Sequence, residues 1–304
     1  MAHAESANDR TPASTQAPAD RRVDFTRPEG EAALIAPDSV SWRVFKNPIA
    51  TYIGGITAVI LELAEPRVCA GVWDHTTFRT EPLKRLRRTG LAAMVTVYGP
   101  RSTAERMIAG VRRMHGRVEG VAADGRAYNA NDTELLDWVQ ATASYGFVEA
   151  YAAHVRALSD ADRDAFYAES AVPAGLYGAT GAPKSLAGMR EQFAAMRPSL
   201  KPTGIIFEFL ELMQRTPILP GPMRPLQRVL TRAAVDLLPE WAFSDLGIGP
   251  EWRIGRFERG IATAMGKAAD RLIARGSPAV QACRRVGLPD DHLYRPGFAL
   301  RLPG

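Results

Sequence analysis

Cysteine is scarce. The chain has 304 residues and two cysteines, Cys69 and Cys283, too few for a disulfide framework or a cysteine-based zinc site. Both stand in apolar, helically spaced surroundings, so two buried free thiols are expected. That fits a reducing compartment and points to the cytoplasm. Long apolar runs are lacking too. The longest, Ile49 to Ala64, is interrupted by Glu62 and falls short of the roughly 18 to 20 residues that cross a bilayer. It reads as a buried helix, and no transmembrane span is expected. The N-terminus has no apolar segment of the kind that marks a secretory signal. No Asn-Gly or Asp-Gly turn lies between alternating apolar runs. Asp124-Gly125 is a turn between helical patterns, so no strand pair is expected.

What is present suits a helical globular protein. Hydrophobic residues make up 46% and charged residues 23%, ordinary for a chain able to bury a sizeable core. The net charge of +5 comes from arginines scattered along the chain. The nearest thing to a cluster is Lys84, Arg85, Arg87 and Arg88. No aromatic-rich strand or reading motif accompanies it, so nucleic acid is not an expected partner. Peripheral contact with an anionic membrane is a weaker reading of the same charge.

Residues 1–27 are rich in Ala, Ser, Thr, Pro, Asp and Arg without periodicity and read as a disordered tail. Residues 28–304 read as one all-α, multi-helix domain. Pro48 and Pro82 stand where a first helical turn tolerates proline. Ser102 to Glu105 and Asn131 to Glu134 have the spacing of capping boxes. Ser159 precedes an acidic turn that suits a helix start. Gly99-Pro100, Gly120, Gly178 to Pro183 and Pro217 to Pro225 mark loops.

Two helical segments carry candidate chemistry. In the first, Ile108, Val111, His115 and Val118 fall on one face, flanked by Met107 and Met114. An inward imidazole needs a partner for each ring nitrogen. Iron is one such partner, and a single helical His is a common haem ligand. Spacing alone favours the plainer reading, a core histidine hydrogen-bonded within the protein. Arg112, Arg113 and Arg117 form a cationic rim, able to pair with propionates or simply to face solvent. In the second segment, Arg85, Arg88 and Thr89 project together. Inside a pocket they could hold dioxygen or a peroxide by hydrogen bonds. An amphipathic helix with a wet basic side has the same pattern. His75, His154, His292 and His3 are weaker candidates. Asp74 and Asp132 are candidate bases, Asp132 being better explained as a helix start.

Read together, these segments resemble a known family. Gly71 to His75, Glu81 to Thr89 and Val111 to Gly120 are similar to the domain shared by latex-clearing rubber oxygenases and MpaB-type oxygenases. The similarity continues through Tyr128 to Asp132, Trp138 to Thr142, Phe166 to Glu169, Pro183 to Ser185 and Leu238 to Trp241, over about residues 35–250. The resemblance implies an all-α fold enclosing haem b, with His115 as the iron ligand; Arg112 of the rim and Gln140 are the further candidates to lie beside the cofactor. It places Arg85, Arg88 and Thr89 near the haem. It also implies dioxygen-dependent oxidation of an apolar small molecule, such as an isoprenoid or lipid. Two positions depart from the pattern. Rubber oxygenases have a lysine before the threonine, able to ligate iron. Arg88 stands here, and a protonated guanidinium has no lone pair to give. Related chains often have His where this one has Gln140. Those departures leave two further readings: a haem carrier or sensor without turnover, and a helical interaction protein that has lost haem.

Overall fold

A computed structural model describes residues 23–219 and 221–295. The chain is all-α, as expected. The first half runs α1 (Val40–Phe45), α2 (Pro48–Leu63), α3 (Pro66–Trp73), α4 (Pro82–Tyr98) and α5 (Arg101–His115). A small hairpin follows, β1 (Glu119–Val121) and β2 (Ala127–Asn129), and then the long α6 (Thr133–His154). The second half runs α7 (Asp160–Glu169), α8 (Ala171–Tyr177), α9 (Leu186–Met196), α10 (Gly204–Arg215) and α11 (Arg224–Asp236). It ends with α12 (Glu240–Leu246), α13 (Arg256–Arg271) and α14 (Pro278–Arg285).

The apolar run of α2 is the centre of the fold. Asn47 caps it by accepting from the backbone N–H of Ile49 and Ala50, and Pro48 takes the first helical position. Ile53, Ile60 and Leu61 are fully buried. Helix α6 runs antiparallel beside it. The Trp138 indole N–H donates to the Leu61 carbonyl at 3.3 Å, while Gly54 meets Gly146 nearer the other end. A Cβ on Gly54 would stand 2.5 Å from the Gly146 carbonyl oxygen, so the two backbones touch where neither has a side chain. Around this pair, Thr57 Oγ1 donates to the Ala234 carbonyl of α11 at 2.8 Å. Asn47 Nδ2 donates to the Gly266 carbonyl of α13 at 2.9 Å. Among the described residues, no single helix is long and apolar enough to cross a membrane.

Four details differ from the sequence expectation. First, β1 and β2 pair antiparallel around Asp124-Gly125, with Gly125 at φ 83°. Strands of three residues are too short to show alternation. Second, Ser102 makes no cap. Helix α5 begins one residue earlier, at Arg101, and the Ser102 N–H donates to Glu31 at 2.6 Å. Third, Asp132 caps nothing through its side chain, because its carboxylate accepts from the Asn129 N–H at 2.9 Å and closes a turn before α6. The helix start expected at Ser159 does form, closed by a capping box with Asp162.

Fourth, residues 1–22 of the expected disordered tail lie outside the described residues, but residues 23–27 of it are described and Phe25 among them is buried. The buried Arg285 guanidinium holds this segment, donating to the carbonyls of Phe25 at 2.8 Å and Glu31 at 2.7 Å.

The hairpin is anchored by a buried carboxylate. Glu65 caps α3 and also accepts from Arg67 at 2.8 Å and from Arg126 of the hairpin at 2.9 Å. Arg67 reaches on to Glu134 at the start of α6, 2.8 Å away. A carboxylate this deep is tolerable because its charge is paired and its lone pairs are filled. Both cysteines are buried free thiols, as expected.

The glycine contact gives a test. Gly146→Ala should destabilise the protein by roughly 1 to 3 kcal/mol or more, the cost of overpacking a rigid backbone contact. An alanine at the exposed, uncrowded Gly90 should not destabilise it. Urea unfolding of the two variants measures this, and an equal midpoint for both would sink the assignment.

Candidate functional site

Helices α4 and α5 form an antiparallel pair joined at Gly99-Pro100, so the start of α4 lies beside the end of α5. This brings Arg85 and His115 within electrostatic reach. Ala104 and Ile108 fix the inner face of α5 in the core. Val111, His115 and Val118 are half-buried, and Met114 is exposed. His115 Nδ1 is buried and has no hydrogen-bond partner among the described residues. Burial, and then the positive charge of Arg85, hold the ring below the usual histidine range. The imidazole is therefore neutral near pH 7, with a lone pair to give.

Arg85 is inward too. Its Nε is buried without a partner, and burial lowers its pKa. One terminal nitrogen donates to Thr89 Oγ1, whose hydroxyl donates back to the Arg85 carbonyl at 3.0 Å. The helical spacing of four residues makes this pair. Arg88 does not join it. It is exposed, makes no hydrogen bond or ion pair among the described residues, and acts on Arg85 only by repulsion.

A residue read from sequence only as an interruption completes the group. Glu62 of α2 sits opposite Arg85, and its carboxyl is pushed up to about 7. Burial raises it, against the opposing pull of Arg85 and of Thr142 on α6. Thr142 Oγ1 lies 3.5 Å from the Glu62 carboxyl and nearer its own helix carbonyls of Trp138 and Val139, at 3.1 and 3.0 Å. The register of α2 against α6 sets this meeting. The only sequence signal for it is a lone carboxylate in an otherwise apolar helical run. Imidazole, guanidinium, hydroxyl and near-neutral carboxyl thus come from four helices.

The other candidates scatter. Gln140 is half-buried and donates to Ser144 of its own helix at 3.0 Å. Arg112 is exposed, and its guanidinium lies beside Gly178, whose φ of 101° ends α8. A Cβ there would crowd Leu136, 3.2 Å away, and would touch Arg112 at ordinary contact distance. The exposed His75 meets the hairpin, with Nε2 3.1 Å from the Tyr128 hydroxyl. His154 is a core residue facing Thr263 at 3.4 Å. His3 lies outside the described residues. Asp74 is exposed. The apolar segments of α10 and α11 are ordinary core, with Phe209, Leu210, Met213 and Leu230 buried. Around the group, Arg87, Arg88, Arg112, Arg113 and Arg117 are exposed, and none makes an ion pair among the described residues. No cluster of three or more His, Cys, Asp or Glu able to hold a metal occurs among the described residues.

Glu62 makes the site pH-sensitive in a known direction. Its carboxyl is raised from 4.5 to about 7, so across that interval the folded protein keeps a proton that the unfolded chain releases. Stability therefore falls as pH rises through the window and levels off above it. Glu62→Gln keeps the neutral form throughout. Urea unfolding at about pH 5 and about pH 8 should show a smaller loss of stability in Glu62→Gln than in wild type. Equal losses would refute the raised carboxyl.

A family model described as "ER-bound oxygenase mpaB/B'/Rubber oxygenase, catalytic domain" matches residues 42–267. No curated protein and no solved structure matches the chain.

Proposed function

The chain belongs to the mpaB/rubber oxygenase catalytic-domain family, and from that premise we propose that it is a haem b-dependent oxygenase. On this reading it uses dioxygen to oxidise an apolar small molecule, with an isoprenoid or lipid chain as the substrate class.

The observation that carries the reading is the His115 ring. A buried polar atom without a partner is rare and calls for a reason. Here the atom belongs to a neutral imidazole, and rotation of the ring decides which nitrogen it presents. A metal ion is the partner such a nitrogen suits. The donor set fits haem: one imidazole for the iron, and guanidinium groups on the same α5 end for the propionates. Arg112 is the first candidate for that pairing, and Gln140 of α6 is the second.

Haem, when bound, supplies the electron chemistry with dioxygen. The chain's own residues do the rest. Arg85 is a fixed cation that donates hydrogen bonds where negative charge develops, and Thr89 holds it in orientation. Arg88, on the next turn of α4, adds positive charge without competing for iron. Glu62 holds a proton at its carboxyl near pH 7 and is placed to give or take one beside Arg85. The half-buried Leu86 and Met94 of α4, packed against the core, keep this side of the site apolar and suit it to a greasy substrate.

The cationic rim suits delivery of such a substrate from an anionic lipid surface. Arg87 and Arg113 are exposed in the same two helices as the exposed Leu91 and Met114, and Arg117 is exposed just beyond the end of α5, the mixture that peripheral membrane contact uses. The buried thiols Cys69 and Cys283 suit a cytoplasmic setting.

Protein produced with adequate haem should show a Soret band that His115→Ala lacks. An identical spectrum in both would remove the ligand assignment. Arg85→Gln should keep the band but lower dioxygen consumption with squalene by about a hundredfold, the scale of losing one transition-state donor. An unchanged rate would take that role from Arg85, and a band without any consumption would favour a haem carrier. Sedimentation with phosphatidylserine vesicles should fall as salt rises and in Arg113→Glu/Arg117→Glu, and salt-independent binding would count against the rim.

A further inference from the structure

Helices α6, α7, α9 and α12 enclose an open groove that the site above does not use. It has two adjoining parts. One, of about 330 Å³, is lined by Tyr145, Glu149, Asp160, Arg163, Met189 and Arg190. The other, of about 500 Å³, shares Tyr145, Met189 and Arg190 and continues along Phe193, Pro239 and Trp241. Both volumes lie in the range of small-molecule sites. Neither part is lined by Glu62, Arg85, Thr89 or His115.

The two parts differ in chemistry. The smaller is ionic, and most of its charge is already matched. Arg163 grips Glu149 with two hydrogen bonds of 2.7 and 3.0 Å. Asp160 is on the outer edge, 80% exposed and 3.8 Å from the same guanidinium. The larger part is apolar. The Phe193 ring packs 5.1 Å from Tyr145. Arg197 stacks over Trp241 at 5.2 Å and spends its hydrogen bonds on Asp245, at 2.6 and 3.1 Å. It covers the indole instead of offering a free charge.

One cation is left unpaired where the parts meet. Arg190 lines both parts, is exposed, and makes no hydrogen bond or ion pair among the described residues. A ligand that brings negative charge to this junction would pair it. The adjoining wall of Met189, Phe193, Pro239 and Trp241 would take an apolar body.

We propose that this groove is a second ligand site, which binds an amphiphile with a carboxylate head and an apolar chain. The carboxylate sits at Arg190, in a bidentate geometry natural to guanidinium, and the chain lies along Met189, Phe193 and Trp241. Binding there is independent of haem and of the His115 group.

Titration calorimetry of the full chain with decanoate and with decan-1-ol tests this. Decanoate should bind saturably at one site, and decan-1-ol about tenfold more weakly, because it lacks the charge. Arg190→Gln, an exposed position, should weaken decanoate about tenfold and leave decan-1-ol unchanged. Trp241→Ala should weaken both. Arg190→Gln should also keep the Soret band and the thermal midpoint of wild type, which separates this site from the haem reading. The proposal is overturned if wild type shows no saturable decanoate binding, or if Arg190→Gln binds decanoate as wild type does. It is equally overturned if His115→Ala abolishes that binding while Arg190→Gln does not.

Discussion

The close approach of Gly54 and Gly146 sets the rest of the structure. Two antiparallel helices can touch backbone to backbone only where both lack a side chain. That contact fixes their register as firmly as it fixes their distance. Once it is fixed, Trp138 reaches the Leu61 carbonyl and Thr142 comes opposite Glu62. Other helices dock on the same pair: α11 through Thr57, and α13 through Asn47. A shift by one residue would turn Glu62 away from Arg85 and leave a carboxyl buried among aliphatic side chains.

The candidate site is a balance of burial against charge. Burial disfavours every ionised group it encloses, so it neutralises His115 and lifts Glu62 toward neutrality. Arg85 stays charged because guanidinium is too basic to yield. The outcome is one permanent cation beside an imidazole held neutral and a carboxyl that exchanges its proton near neutral pH. Such pairs of titratable groups, pushed away from their ordinary values, are typical of sites that do chemistry.

Local chemistry was legible in the sequence, and distant partners were not. The helix starts at Pro48, Pro82 and Ser159, the buried run of α2 and the two buried thiols depend on neighbours a few residues away. The family's shared segments pointed to His115, Arg85 and Thr89 together. Ser102 misled because Glu31, 71 residues upstream, takes its N–H. The Asn131 box failed because Asp132 closes a turn instead. Glu62 looked like a break in an apolar run, since nothing in its own helix reveals the guanidinium opposite. Arg88 and Gln140 share helices with the site, but Arg88 is exposed without a hydrogen bond among the described residues and Gln140 donates to Ser144 of its own helix.

The clasp between Arg285 and the segment around Phe25 bears on how the chain is made. Its hydrogen bonds join positions 254 and 260 residues apart, and long-range closures form late. On a ribosome, the helices from α1 to α13 emerge before the last residue that holds the amino-terminal segment. Until Arg285 emerges, the carbonyls of Phe25 and Glu31 lack its guanidinium as donor. Closure of this amino-terminal segment therefore waits on α14, the helix that carries Arg285.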